Sequence, residues 1–161
     1  MKPENVSRIE QKIGYVFKDK KLLKVCFSHS SYTNEHGGEN NERLEFLGDA
    51  LLGAFVADFL FQTTRDNEGK MTEKRKALVA AAPLKTAIER MGLQKFILAG
   101  GDGQNVGEKA ISSLFEAIVA GIYVDGGADA AKNFINDKLL SVTDTHDSNY
   151  KGRLQEFLQY R

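Results

Sequence analysis

The chain has 161 residues, with 22 basic and 22 acidic side chains and a formal net charge of zero. At this length folding buries about 68–70% of the surface that the unfolded chain exposes, so a core forms without staples. Hydrophobic content of 42%, charged content of 27% and only two prolines exclude collagen-like, low-complexity and disordered classes. The longest apolar runs, 50–57 and 117–124, stop far short of the ~20 residues that a membrane span needs. The polar start MKPENVSRIEQ lacks the apolar core of a signal peptide, and the lone Cys26 cannot form an internal disulfide. The expectation is a cytoplasmic protein with no membrane partner. A net charge of zero does not announce a nucleic-acid binder, so any such role must come from local arrangement.

Apolar residues recur at helical spacing, and no stretch alternates long enough for a strand, so the chain reads as all-α. Val6–Phe17 and Lys20–Phe27 are short amphipathic pieces, followed by a polar loop over His29–Asn40. Asn41 is a good amino-terminal cap for one long, mostly buried helix to about Thr63. After a turn-rich stretch, a basic helix runs from Thr72 to Ala81, and a further helix starts near Pro83 and stops at Gly92. Gly100–Gly107 is a glycine loop. Beyond it Ile111, Leu114, Phe115, Ile118, Val119 and Ile122 predict a cleanly amphipathic helix. A last helix covers 128–140, and 141–149 is a polar connector.

Glu42, Glu45 and Asp49 fall at i, i+3 and i+7, on one face of the long helix. Glu45 and Asp49 are one turn apart, close enough to share a magnesium ion, whereas Glu42 lies about 10.5 Å along the axis from Asp49 and suits a second ion, a water or substrate. From spacing alone such a cluster is more often a solvated face. The apolar residues around it, Leu44, Phe46, Leu47, Leu51, Leu52 and Phe55, weigh the other way.

Glu116 sits among small residues, Ser113 and Ala120, that let another helix approach it, although a lone glutamate of this kind is more often a solvated surface residue. Glu68 precedes a cluster of Lys70, Lys74, Arg75 and Lys76, which is either a phosphate-gripping patch or a solvated helix face. Lys18, Lys20, Lys21 and Lys24 carry the same ambiguity. His29, His36 and His146 lack the mutual spacing of a zinc site, and glycines 100, 101, 103 and 107 complete no nucleotide-binding fingerprint.

The run NERLEFLGDALL at 41–52 resembles the signature of the ribonuclease III family, which cleaves double-stranded RNA. SHSSYTNE before it, NEGKMTEKRKALV after it and SSLFEAIVAGIYVDGG from Ser112 are similar to family segments in the family's order. The closing YKGRLQEFLQ is similar to the linker that leads, in bacterial members, to a double-stranded RNA-binding domain. The resemblance implies an all-α, homodimeric endonuclease-domain bundle over 1–145, with 146–161 beginning a linker towards an absent RNA-binding domain on which affinity depends.

Carried over by residue, the resemblance implies Glu45, Asp49 and Glu116 as ligands of Mg2+ or Mn2+, with Asp49 and Glu116 the catalytic pair. Glu42 and Glu68 become assisting acids, and Phe46, otherwise a core aromatic, a plug into the partner subunit. Ser113 stands where the family usually has an aspartate, so it is a weaker, neutral ligand or holds a bound water. The implied reaction is hydrolysis of duplex RNA by a metal-activated water, giving 5′-phosphate and 3′-hydroxyl ends in the processing of ribosomal and other structured precursors. The competing reading, motivated by Ser113, is a non-catalytic RNA-binding or scaffolding member of the same fold.

Overall fold

The computed structural model describes residues 1–103 and 106–142. These form α1 (Pro3–Ile13), α2 (Lys20–Cys26), α3 (Ser30–His36), α4 (Glu42–Thr63), α5 (Glu68–Leu78), α6 (Ala81–Met91), α7 (Glu108–Gly126) and α8 (Ala128–Ile135). A π-helical turn, Asn136–Leu140, continues α8. No strand forms among the described residues. The nearest approach to one is an isolated parallel bridge between Ser28 and Leu98. The expected segment 146–161, the boundary at 145 and His146 lie outside the described residues.

Local chemistry moves several boundaries. The first helix ends at Ile13 rather than Phe17, because Gly14 takes the left-handed conformation at φ 78° and stops it. Phe17 then turns into the core, its backbone N–H donating to Glu10 Oε1 at 3.1 Å. The expected loop at 29–40 contains α3, because His29 caps it, Nδ1 accepting from the Ser31 N–H at 3.2 Å. Asn41 is not the side-chain cap of α4. Its Nδ2 is buried and donates to the Cys26 carbonyl at 3.0 Å, while Asn40 Oδ1 takes the Glu42 N–H.

The basic helix starts at Glu68, one turn before the expected Thr72, because Asn67 Oδ1 accepts from the Lys70 N–H at 2.9 Å. Asn67→Ala is expected to cost about 1 kcal/mol of stability, read from thermal unfolding, because this first-turn donor then has only water.

α7 is the axis of the molecule, packed against α2, α4, α6 and α8. Surrounded in this way, it is buried all round from Ser112 to Ile122 except at Glu116, so it is a core helix rather than the amphipathic one expected. The core gathers Phe17, Phe27, Phe59, Phe115 and the aliphatics of α1, α2, α6 and α8 around it. α4 departs in the opposite sense. Only Gly48, Leu52, Val56, Phe59, Leu60 and Thr63 are buried, so its amino-terminal half is mostly open to solvent within a single chain.

Candidate active site

The acidic site is made where α4 crosses α7. A Cβ built on Gly48 would lie 1.8 Å from the Glu116 carbonyl oxygen and 2.5 Å from its carbonyl carbon, so the two backbones touch at a point that admits no side chain. Gly48 lies between Glu45 and Asp49 in sequence, so this contact sets how closely the acids of α4 approach the acid of α7.

Glu116 is half-buried and sits against both α4 acids. Its carboxyl is pushed up to about 8, chiefly by burial, then by the charge of Asp49, a hydrogen bond to Asp49 and the charge of Glu45. Like charges held together without a cation retain a proton between them. Ser113, one turn earlier on α7 and buried, donates its Oγ–H to Glu45 Oε1 at 2.9 Å.

Among the described residues, no three His, Cys, Asp or Glu side chains stand ready as a closed metal cage. Asp49 and Glu116 are turned towards each other, and Glu45 towards Ser113. The donor set nonetheless fits a hard divalent ion: the donors are oxygens, and an ion replacing the shared proton would relieve the repulsion that raises the Glu116 carboxyl.

The other expected site residues lie apart from these acids. Glu42 is exposed and lines a groove of about 890 Å3 with Leu22, Val25, Phe46, Leu47 and Val124. Glu68 opens α5 and borders a second groove, about 470 Å3, with Ala57, Leu60, Phe61, Met71 and Arg75. Phe46 is 81% exposed, so it is not a core aromatic. Lys70, Arg75 and Lys76 are exposed on α5, while Lys74 is paired with Asp66. In the earlier lysine cluster, Lys20 pairs with Glu10 and Lys24 lies 6.0 Å above the Tyr32 ring.

Sequence reasoning missed the role of Gly48. The available signal was a glycine inside a helix, between two acids one turn apart. It also missed Asn41, whose buried side chain ties the start of α4 to the end of α2.

Comparison with known proteins agrees with this architecture. The family model for Ribonuclease-III-like proteins matches residues 19–143. Ribonuclease 3 of Oceanobacillus iheyensis is 38% identical over 96% of this chain and 73% of that protein. Ribonuclease 3 of Protochlamydia amoebophila is 38% identical over 94% of this chain and 67% of its own length. The nuclease domain of ribonuclease III from Campylobacter jejuni, in a structure described by flexibility in the region involved in dimer formation, superposes with a TM-score of 0.79. It is 33% identical and covers 87% of this chain and 99% of that one. Signature, helical architecture and relatives along nearly the whole chain converge, and the protein belongs to the ribonuclease III family.

Proposed function

We infer that the protein is a divalent-metal-dependent endoribonuclease that hydrolyses phosphodiester bonds of double-stranded RNA, with Mg2+ as its ion. The observation that carries this reading is the crossing of α4 and α7 at Gly48, which presses Glu45 and Asp49 against the half-buried Glu116. A divalent cation held there supplies Lewis-acid activation of water and neutralises charge on the phosphate.

The chain's own residues do the rest. Glu45, Asp49 and Glu116 would hold the ion, which would take the place of the proton that Glu116 otherwise retains. Exposed Lys70, Arg75 and Lys76 on α5 offer phosphate contacts away from the acids, in keeping with recognition of duplex RNA through shape and backbone rather than base edges. The products carry 5′-phosphate and 3′-hydroxyl ends, and the substrates are structured RNA precursors. The test is cleavage of a labelled RNA duplex across a Mg2+ series: loss of cutting on chelation supports the reading, and no cutting at any metal concentration overturns it.

The working form is a homodimer. Phe46, Ala50, Gly53, Ala54, Ala57 and Phe61 follow one another at helical spacing along α4. Phe46 and Phe61 are 81% and 70% exposed, and the residues between them are small. The two phenylalanines are 15 residues apart, about 22 Å along the axis and within about 60° around it. Two α4 helices packed antiparallel about Gly53 and Ala54 would seat Phe46 of one copy in the groove beside Phe61 of the other. The same packing would carry Glu42 of one copy towards Glu68 and Arg75 of the other, giving those assisting acids a place that a single chain does not. Phe46→Asp is expected to weaken dimerisation about 30-fold or more, as for loss of an aromatic anchor of about 2 kcal/mol, while leaving the fold intact. Sedimentation equilibrium reads this directly. A dimer as tight as the native one would remove Phe46 from the interface.

A further inference from the structure

We propose that Ser113 is a positioning residue that acts on the cation site through Glu45, aiming its carboxylate at the space beside Asp49 and Glu116 without itself entering the inner coordination sphere. The inference rests on the acidic-site reading above and adds to it the means by which the third acid is held.

Ser113 is 7% exposed, and its hydroxyl carries one proton, which it donates to Glu45 Oε1 at 2.9 Å. A donor spent on a carboxylate fixes its orientation. Glu45 needs such an anchor, because it lies in the first turn of α4, on the half of that helix least covered by the rest of the chain. Its long side chain would otherwise sample solvent, and binding an ion would have to order it again. Ser113 precedes Glu116 by three residues, so the two share one face of α7. The hydrogen bond from Ser113 therefore ties Glu45 across the helix crossing to the turn that bears Glu116, leaving Glu45 Oε2 for an ion. Asp49 needs no such tie, because it already meets Glu116 directly. Ser113 adds no charge beside Glu45, Asp49 and Glu116.

A double-mutant cycle on Mg2+ affinity tests this, measured by titration calorimetry on the RNA-free chain. Ser113→Ala is expected to weaken Mg2+ binding about tenfold in the native background, the size of one lost hydrogen bond to a charged group. In the Glu45→Ala background the same substitution is expected to change affinity by less than about twofold, because the acceptor through which Ser113 acts is gone. Ser113→Thr, which keeps the donor, restores near-native affinity. Unfolding of each variant without metal shows that the fold is retained.

An equal loss from Ser113→Ala in both backgrounds would mark Ser113 as a direct ligand and overturn the inference, as would no loss in either. Glu116→Gln separates this from failure of the site itself. If Glu116→Gln binds Mg2+ as tightly as the native chain, or the native chain binds none, the acidic-site reading falls and the inference with it. If Glu116→Gln loses binding and Ser113→Ala does not, only the role of Ser113 falls.

Discussion

Glu116→Gln is expected to lower the rate of duplex RNA cleavage at least about a thousand-fold, roughly 4 kcal/mol of transition-state stabilisation, and also to stabilise the metal-free protein in mild alkali. The two effects share one cause. The Glu116 carboxyl sits near 8 instead of its ordinary 4.5, because burial and the neighbouring Asp49 and Glu45 disfavour its charge. Between those values the folded chain holds a proton that the unfolded chain has released, so metal-free stability declines as pH rises from 4.5 through about 8 and is lowest beyond. Glutamine cannot ionise, so its variant should lack this component of the decline. Thermal unfolding in chelator from pH 5 to 9 checks it: a native curve parallel to the variant's would contradict the placement of Glu116.

The same proton couples metal binding to pH. Occupancy by Mg2+ requires Glu116 as carboxylate, so near neutral pH ion binding releases a proton, and apparent affinity rises with pH until Glu116 is ionised. Calorimetry in two buffers of different ionisation enthalpy measures that release. Binding that is independent of pH between 6 and 8 would show that Glu116 is no ligand.

Gly48→Ala is the second large effect. The added methyl carbon would stand 1.8 Å from a carbonyl oxygen and 2.5 Å from a carbonyl carbon, both backbone atoms of the central helix. No rotamer relieves such a clash, so α4 must shift away from α7. Overpacking of a close interface typically costs 1–3 kcal/mol, and this contact of backbone on side chain belongs at about 3. Alanine is also the better helix former, by about 1 kcal/mol, so the net loss in chemical unfolding should be about 2 kcal/mol. Function should suffer more than stability. A shift of about 1 Å at the crossing separates Glu45 and Asp49 from Glu116, and misplacement on that scale can cost about a hundredfold in rate. Folded Gly48→Ala protein with native Mg2+ affinity and native cleavage would refute the crossing as the determinant of the site.

Much of this was readable from residue order, and the exceptions have definable causes. The helical period, the stop at Gly92 and the run 42–63 were legible because they depend on side chains a few positions apart. The cap from His29 that creates α3 was not, since histidine is an uncommon cap and the segment is otherwise rich in turn formers. Nor was the opposite burial of the two long helices. Both are rich in apolar residues, but α7 is enclosed on all sides while Phe46 and Phe61 of α4 face outward.

Which residue types this protein would use for chemistry was therefore settled by its order of amino acids: acids spaced one turn apart on α4, and one more acid among small residues on α7. Neighbouring positions in a helix have a fixed geometry, which makes such spacing interpretable. The separation of those two groups was decided only by the packed molecule. Glu45 and Glu116 are 71 positions apart, and what joins them is the absence of a side chain at Gly48 and the hydroxyl of Ser113, contacts between distant segments that no local period encodes.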